Sequence, residues 1–225
     1  MIESTRVTAP AGSKRRWWRI ALATLVVAGV ATPFFFAWVV DRLAGASGWR
    51  ALSAPEELSP AARAMLEEVY AGIEDQPLYD HHTHLAGLGS GSDCWINPKM
   101  RSLLHPYEWM RLRLYMSAAG VSGGEQADRE YVERFAALAR AAPRPMRHVL
   151  LAFDYHHDEA GRRDHGRSPF HVPNEYVWSV SQEFSDVFEP CVSIHPYRAD
   201  AVSELERWAE RGVRFVKWLP NAMGI

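Results

Sequence analysis

Apolar positions along this 225-residue chain alternate between two periods, and the alternation predicts strands and helices in turn. Short continuous apolar runs are typical of strands buried on both faces of a parallel sheet. Segments that repeat apolar residues every three or four positions predict amphipathic helices. The predicted strands are Leu78–His82, Val149–Phe153, Pro190–Ile194 and an apolar run ending at Lys217. The predicted helices are Ser59–Ile73, Gly124–Ala142, Asn174–Phe184 and Asp200–Arg211.

The order of these elements predicts an α/β fold, because alternating strands and helices form a parallel sheet with right-handed crossovers. One segment, Asn97–Met116, interrupts the alternation and holds many arginine, methionine and aromatic residues. We interpret it as a loop and helix inserted after the first strand. It either walls a pocket or is an ordinary packing helix with a charged face, and the sequence leaves both readings open.

The N-terminal region holds an uncharged apolar run, Ile20–Val40, that is long enough to cross a bilayer as a helix. Basic residues precede it and almost none follow it, so the positive-inside rule predicts a cytoplasmic N-terminus and an exported remainder. Three alternatives stay open. The run is a buried soluble helix, a signal cleaved near Ala44–Ala46, or a twin-arginine signal built on Arg15 and Arg16. The basic residues before the run are Lys14, Arg15, Arg16 and Arg19.

We therefore divide the chain into four parts. Residues 1–19 form a basic cytoplasmic N-terminus, 20–40 a transmembrane signal anchor, 41–76 a juxtamembrane linker with one helix, and 77–225 an α/β domain.

Composition agrees with a folded domain behind an anchor. The chain is 48% hydrophobic and has a formal net charge of −2, with no sustained basic stripe beyond the N-terminal cluster, which argues against a nucleic-acid role. The two cysteines, Cys94 and Cys191, either pair in an oxidising compartment or stay free.

The candidate chemistry begins at the first strand, where Asp80, His82 and His84 occupy alternate positions. Side chains two apart on a strand point the same way, so two imidazoles can converge on one divalent metal ion. Asp80 either fixes a histidine tautomer or caps the sheet. The simpler alternative is a histidine-rich turn that only decorates the strand end.

Further polar side chains follow the later strands. His156 and His157 lie in the polar segment after the second strand and contact metal or substrate, or are surface histidines. His195 follows the third strand, where substrate contact and a structural hydrogen bond are both open. Lys217 ends the fourth. Carboxyl ends of parallel strands share one edge of a sheet, so His195 and Lys217 belong near the histidine pair.

A strand ending in Asp-x-His-x-His, followed three βα units later by a strand ending in lysine, resembles the metal-dependent hydrolases of the amidohydrolase superfamily. The resemblance spans roughly Pro77 to the C-terminus. It implies a (β/α)8 barrel in which His82 and His84 bind a divalent metal. A complete barrel of this kind needs about 250 residues, so residues 77–225 are expected to be its N-terminal half, truncated at the C-terminus. The resemblance also implies that Lys217 is a ligand, which is often carboxylated in this family. The family's remaining histidines and its water-orienting aspartate, the general base, would lie beyond Ile225.

The resemblance implies a hydrolase that activates water on one or two divalent ions, with zinc favoured, against an amide, ester or lactone, and the N-terminal apolar run predicts that this hydrolase is anchored in the membrane. The expected partners are a small-molecule substrate and, through the N-terminal helix, the membrane. Two alternatives are a related metal-dependent decarboxylase and a catalytically silent half-barrel that acts as a tethered binding module.

Overall fold

The structure, a computed structural model, describes residues 12–44, 58–73, 77–121 and 123–225. The expected cytoplasmic N-terminus is therefore described only from residue 12 onward. Residues 45–57 and 74–76 of the expected linker, and most of the possible cleavage site at Ala44–Ala46, lie outside the described residues. The elements in chain order are α1 (Gly12–Ala44), α2 (Pro60–Ala71), β1 (Leu78–His84), β2 (Trp95–Ile96), a 3-10 turn (Pro98–Arg101), α3 (Pro106–Ala119), α4 (Ala127–Arg140), β3 (Met146–Leu151), β4 (Phe170–His171), α5 (Asn174–Glu183), β5 (Phe188–Val192), α6 (Ala201–Glu210), β6 (Phe215–Val216) and α7 (Pro220–Met223).

The fold is mixed α/β around a curled parallel sheet, in the order β1, β3, β5, β6. All three neighbouring pairs in this sheet are parallel, and a helix connects each of them, which confirms the predicted α/β alternation. The carboxyl ends of all four strands consequently meet at one edge. Those ends carry the chemistry-bearing residues that follow the strands in the sequence.

A second, two-stranded sheet was not predicted. Its strands β2 and β4 pair in antiparallel fashion, with Trp95 opposite His171 and Ile96 opposite Phe170. Each strand is only two residues long. This small sheet joins the loop after β1 to the loop after β3, and it lies in the loop region at the carboxyl edge of the main sheet.

The core lies between the main sheet and its helices. Ala136 of α4 and Val177 of α5 are fully buried against Leu150 of β3, because helix connections in parallel sheets cover the faces of the strands. On the other flank, Trp208 of α6 is fully buried with Val192 of β5.

The predicted helix near Ser59 is confirmed as α2, and its start follows the expected capping pattern. The Ser59 hydroxyl accepts a hydrogen bond from the main-chain N–H of Ala62 at 3.2 Å, and Pro60 occupies the first helical position. The cysteines of the chain are both buried and free. Burial raises the pKa of the Cys94 and Cys191 thiols to about 12 each, so both are inert thiols in this fold.

The N-terminal apolar run forms part of α1, which is longer than the run itself. Its stretch Arg16–Phe36 is long and apolar enough to cross a membrane, and none of the side chains along that length is buried. α1 also packs against α3, where the Phe34 and Trp109 rings meet edge to face with centroids 6.1 Å apart.

Candidate metal centre

The two histidines of β1 converge at the carboxyl edge of the main sheet. Their Nε2 atoms lie 3.0 Å apart, and their ring centroids lie 4.9 Å apart. The intervening Thr83 and the following Leu85 are buried, so strand alternation turns His82 and His84 away from that buried side. Two nitrogen ligands of a tetrahedral zinc ion, each about 2.0–2.1 Å from the metal, lie roughly 3.3–3.4 Å apart. The observed separation is close to this value.

The strand is irregular where the histidine pair begins. Between Asp80 and Thr83 the pairing of β1 with β3 shifts register, so β1 has one more residue than its partner over this interval. An extra residue changes the face to which later side chains point. The bulge therefore separates the orientation of Asp80 from that of the two histidines, which the sequence pattern alone places on one face.

Asp80 is held by the backbone. Its Oδ1 atom accepts a hydrogen bond from the main-chain N–H of His82 at 2.9 Å, and its Oδ2 atom lies 3.6 Å from Nδ1 of His148. The bond from the His82 N–H is the main reason that the pKa of Asp80 is lowered. Of the two predicted roles, these contacts favour a structural one at the strand over fixing a histidine tautomer.

Lys217 follows β6 and reaches the same edge of the sheet. Its side chain is buried, with the residue only 8% exposed, and its Nζ atom has no hydrogen-bond partner among the described residues. The Nζ atom lies 4.7 Å from the ring centroid of Phe153. Burial lowers the pKa of Lys217 to about 8. A buried ammonium without an acceptor is costly, so the surroundings favour a neutral or ligand-bonded amine.

His84 and Lys217 are close enough to influence each other. The pKa of His84 is lowered, first by burial, then by the positive charge of Lys217 and by His82. A lowered pKa keeps the imidazole neutral near physiological pH, and neutral imidazole is the form that binds metal. The imidazole of His84 is therefore in the form that a metal ligand requires.

Tyr131, which the sequence pattern did not mark as a site residue, holds the main chain at His84. The Tyr131 hydroxyl on α4 donates a hydrogen bond to the main-chain carbonyl of His84 at 2.8 Å. Burial raises the pKa of Tyr131, so the hydroxyl stays protonated as a donor. In the sequence Tyr131 appears only as one apolar position of a helix, and nothing in the pattern marks its hydroxyl.

His195 lies at the predicted strand end and is fully buried there. Its Nε2 atom is 2.8 Å from the carbonyl of Met223, and its Nδ1 atom accepts from the Tyr197 N–H at 3.2 Å. Both ring nitrogens are therefore engaged within the fold. These contacts favour the structural hydrogen bond over the substrate contact, the two alternatives that the sequence leaves open.

The histidines after β3 are buried, which corrects the expectation that they are surface side chains if they do not bind metal. His157 is 2% exposed, its Nδ1 atom is 3.0 Å from the Tyr155 carbonyl, and its ring packs 4.6 Å from that of His195. His156 is 9% exposed, and its ring lies against Gly224. The reason is that this segment folds back beneath α7 instead of remaining a solvated loop.

Asp154 organises the same buried region. It is 2% exposed, accepts a hydrogen bond from the His195 N–H at 2.9 Å, and pairs with Arg198 at 3.1 Å. A buried carboxylate with these partners stabilises the connection between the ends of β3 and β5. Sequence reasoning placed Asp154 in a polar loop without assigning it this role.

The structure thus brings two of the predicted ligands together and places a third group at the same edge. No group of three or more His, Cys, Asp or Glu side chains with metal-binding geometry occurs in the part of the chain that the structure describes. The histidine pair fits a divalent ion as two of its ligands, and the unpartnered Lys217 amine fits a further contact. No protein-family description, curated protein or solved structure matches this chain.

Proposed function

We propose that the curled sheet is the first half of a (β/α)8 barrel and that the histidine pair binds a divalent metal ion used for hydrolysis. The observation that carries the proposal is the 3.0 Å approach of the two Nε2 atoms of His82 and His84. They occupy the carboxyl edge of a parallel sheet, the edge at which barrel enzymes assemble their active sites. The resemblance of the strand motif to amidohydrolases supports the same class.

In this proposal each residue of the edge has a defined task. His82 and His84 hold the ion through Nε2, and Tyr131 fixes the main chain at His84. Lys217 offers its amine, directly or as a carboxylated side chain, from the opposite end of the sheet order. The Phe153 ring keeps water from the Lys217 amine. When bound, a divalent ion supplies a Lewis acid that polarises an amide, ester or lactone carbonyl and activates water near neutral pH.

The proposal includes the location of the chain. α1 supplies a single membrane-spanning anchor, and the basic residues before its apolar stretch favour a cytoplasmic N-terminus. The α/β domain would then act outside the cytoplasm on a small-molecule substrate.

A second candidate function is a catalytically silent, tethered binding module. The absence of a three-residue His, Cys, Asp or Glu cluster within the described ranges favours it. A related metal-dependent decarboxylase would use the same histidine pair.

The test is hydrolysis by the full chain in detergent micelles, first stripped of metal with EDTA and then supplied with zinc. Chromogenic esters, lactones and amides serve as substrates. We expect zinc-dependent turnover in the wild type and in the control His81→Ala, and none in His82→Ala/His84→Ala. His81 suits the control because it directly precedes the pair on the same strand and its ring stacks on Tyr79 instead. Bound zinc without turnover would favour the silent module or the decarboxylase.

A further inference from the structure

A second surface of the molecule lies far from the histidine pair in sequence, on α3. The residues at positions i, i+4, i+7 and i+8 of this helix are Tyr107, Arg111, Leu114 and Tyr115, which places them on one side. Tyr107 is 65% exposed, Leu114 41% and Tyr115 50%. Leu104, just before the helix, is 89% exposed. We call these five residues the α3 face.

The charge on this face is embedded among aromatic rings. The Arg111 guanidinium lies 5.7 Å from the ring centroids of both Tyr107 and Tyr115, and it donates to the Tyr115 hydroxyl at 3.2 Å. Arginine and tyrosine share an apolar body and a polar end, a combination suited to the boundary between hydrocarbon and headgroups. The segment 97–119 carries four basic side chains and one acidic one, which matches phosphate headgroups in charge.

The opposite side of α3 indicates what covers this face. Trp109 is turned inward against Phe34 of α1, within the stretch that is apolar enough to cross a membrane. Phe34 lies two residues, or about 3 Å along the helix axis, before the end of that stretch, so Trp109 packs against α1 near the end of the span. Amphipathic helices lie at about 5–10 Å into the headgroup and acyl boundary. A bilayer that holds α1 therefore meets α3 at the same level.

We propose that the α3 face docks into the surface of the bilayer that α1 crosses, and so holds the α/β domain against the membrane. The occupant is the phospholipid interface, with the leucine and tyrosine side chains among the acyl chains and Arg111 at the phosphates. This inference rests on the membrane anchoring proposed above and not on the metal site.

The experiment uses the full chain in vesicles of phosphatidylcholine and phosphatidylglycerol, with a bimane fluorophore on one introduced cysteine. The native Cys94 and Cys191 are buried and remain unlabelled in the folded protein. Labels are placed by Leu104→Cys on the α3 face, by Val202→Cys on α6 as the control, and by Leu25→Cys in α1 to report the anchor. Val202 is 69% exposed and lies on a helix of the opposite flank.

We expect lipids brominated on the acyl chains to quench the Leu104 label at least about twofold more than the Val202 label. Iodide in the aqueous phase should quench the Val202 label more than the Leu104 label. A quenched Leu25 label with an unquenched, iodide-accessible Leu104 label overturns the inference and leaves the anchor standing. If lipid quenches neither the Leu25 label nor the Leu104 label, the anchor and the inference fail together. A Leu104 label shielded from both quenchers overturns the lipid occupant and shows that protein covers the face.

Discussion

The Tyr131 hydroxyl lies 2.8 Å from the main-chain carbonyl of His84, and this contact joins α4 to the end of the strand that carries the histidine pair. The contact crosses 47 residues of sequence. It fixes the backbone at the point where a metal ligand would have to hold its position, and second contacts of this kind tune ligand geometry.

Removing that hydroxyl with Tyr131→Phe should lower the free energy of unfolding by about 1 kcal/mol, because one side-chain hydrogen bond is lost. It should also weaken zinc affinity by about tenfold, since the His84 backbone loses its support. Urea unfolding and a competitive zinc titration measure the two effects. The control Tyr107→Phe, on the exposed face of α3, should change neither. Unchanged zinc affinity in Tyr131→Phe would refute the supporting role.

Replacing the buried amine with Lys217→Met should stabilise the metal-free protein at neutral pH. Burial lowers the pKa of Lys217 to about 8 in the folded chain. Below that pH the folded chain buries a charged ammonium that is fully hydrated in the unfolded chain, and this burial costs folding free energy. Between about pH 8 and the ordinary lysine pKa of about 10.5, the fold releases this proton first and the wild type gains stability. The advantage of the variant should therefore shrink across this window.

Thermal unfolding from pH 6 to 10.5, in buffer free of metal and bicarbonate, measures the Lys217→Met effect. The exposed Lys99→Met serves as the control and should show no such pH dependence. A constant difference between wild type and Lys217→Met at every pH would contradict the buried charge.

Acid stability should depend on His171. Burial lowers the pKa of His171 to about 4, and its Nδ1 atom is 2.8 Å from the Phe153 carbonyl. Between pH 6.5 and about 4 the unfolded chain takes up a proton that the folded chain does not. The free energy of unfolding should therefore decrease as the pH is lowered through this range, by up to about 1.4 kcal/mol per pH unit for one group.

Urea unfolding at pH 7, 6, 5 and 4 measures that slope. His171→Gln should flatten it, while His81→Gln, at an exposed position of β1, should leave it unchanged. Equal slopes in the wild type and His171→Gln would show that another group controls acid stability.

The buried carboxylate of Asp128 should be essential to the conformation of the loop after β1 and to the stability of the fold. Asp128 is 3% exposed and accepts hydrogen bonds from the main-chain N–H groups of Leu88, Gly89 and Ser90 and from the Ser92 hydroxyl. Asp128→Asn turns an acceptor into a donor against these groups, so we expect a loss of about 2–3 kcal/mol in unfolding free energy. Asp93→Asn, exposed in the same loop, should be near neutral. A loss below 0.5 kcal/mol would contradict the role of the Asp128 carboxylate.

The alternation of strands and helices could be predicted because each strand of a parallel sheet is buried on both faces. Val149–Phe153 shows this in the sequence as an unbroken apolar run, and β3 ends within it. The antiparallel pair of β2 and β4 could not be predicted, since two-residue strands have no period to detect.

The candidate site was predictable only where residue type and spacing carry the chemistry. The convergence of His82 and His84 follows from strand alternation. The bulge that turns Asp80 aside, by contrast, comes from pairing with β3, which depends on long-range contacts. For the same reason the burial of His157 was not apparent, because α7 and the fold of its loop cover it.

The measurement that tests the central claim most directly is the metal content of the purified full chain, with zinc supplied and excess removed. We expect about one or two ions per chain in the wild type and in His81→Ala, and a loss of bound ion in His82→Ala/His84→Ala. Far-ultraviolet circular dichroism should show that all three are folded. A folded wild type without bound metal, or a double variant that retains it, would contradict the claim that His82 and His84 form a metal centre.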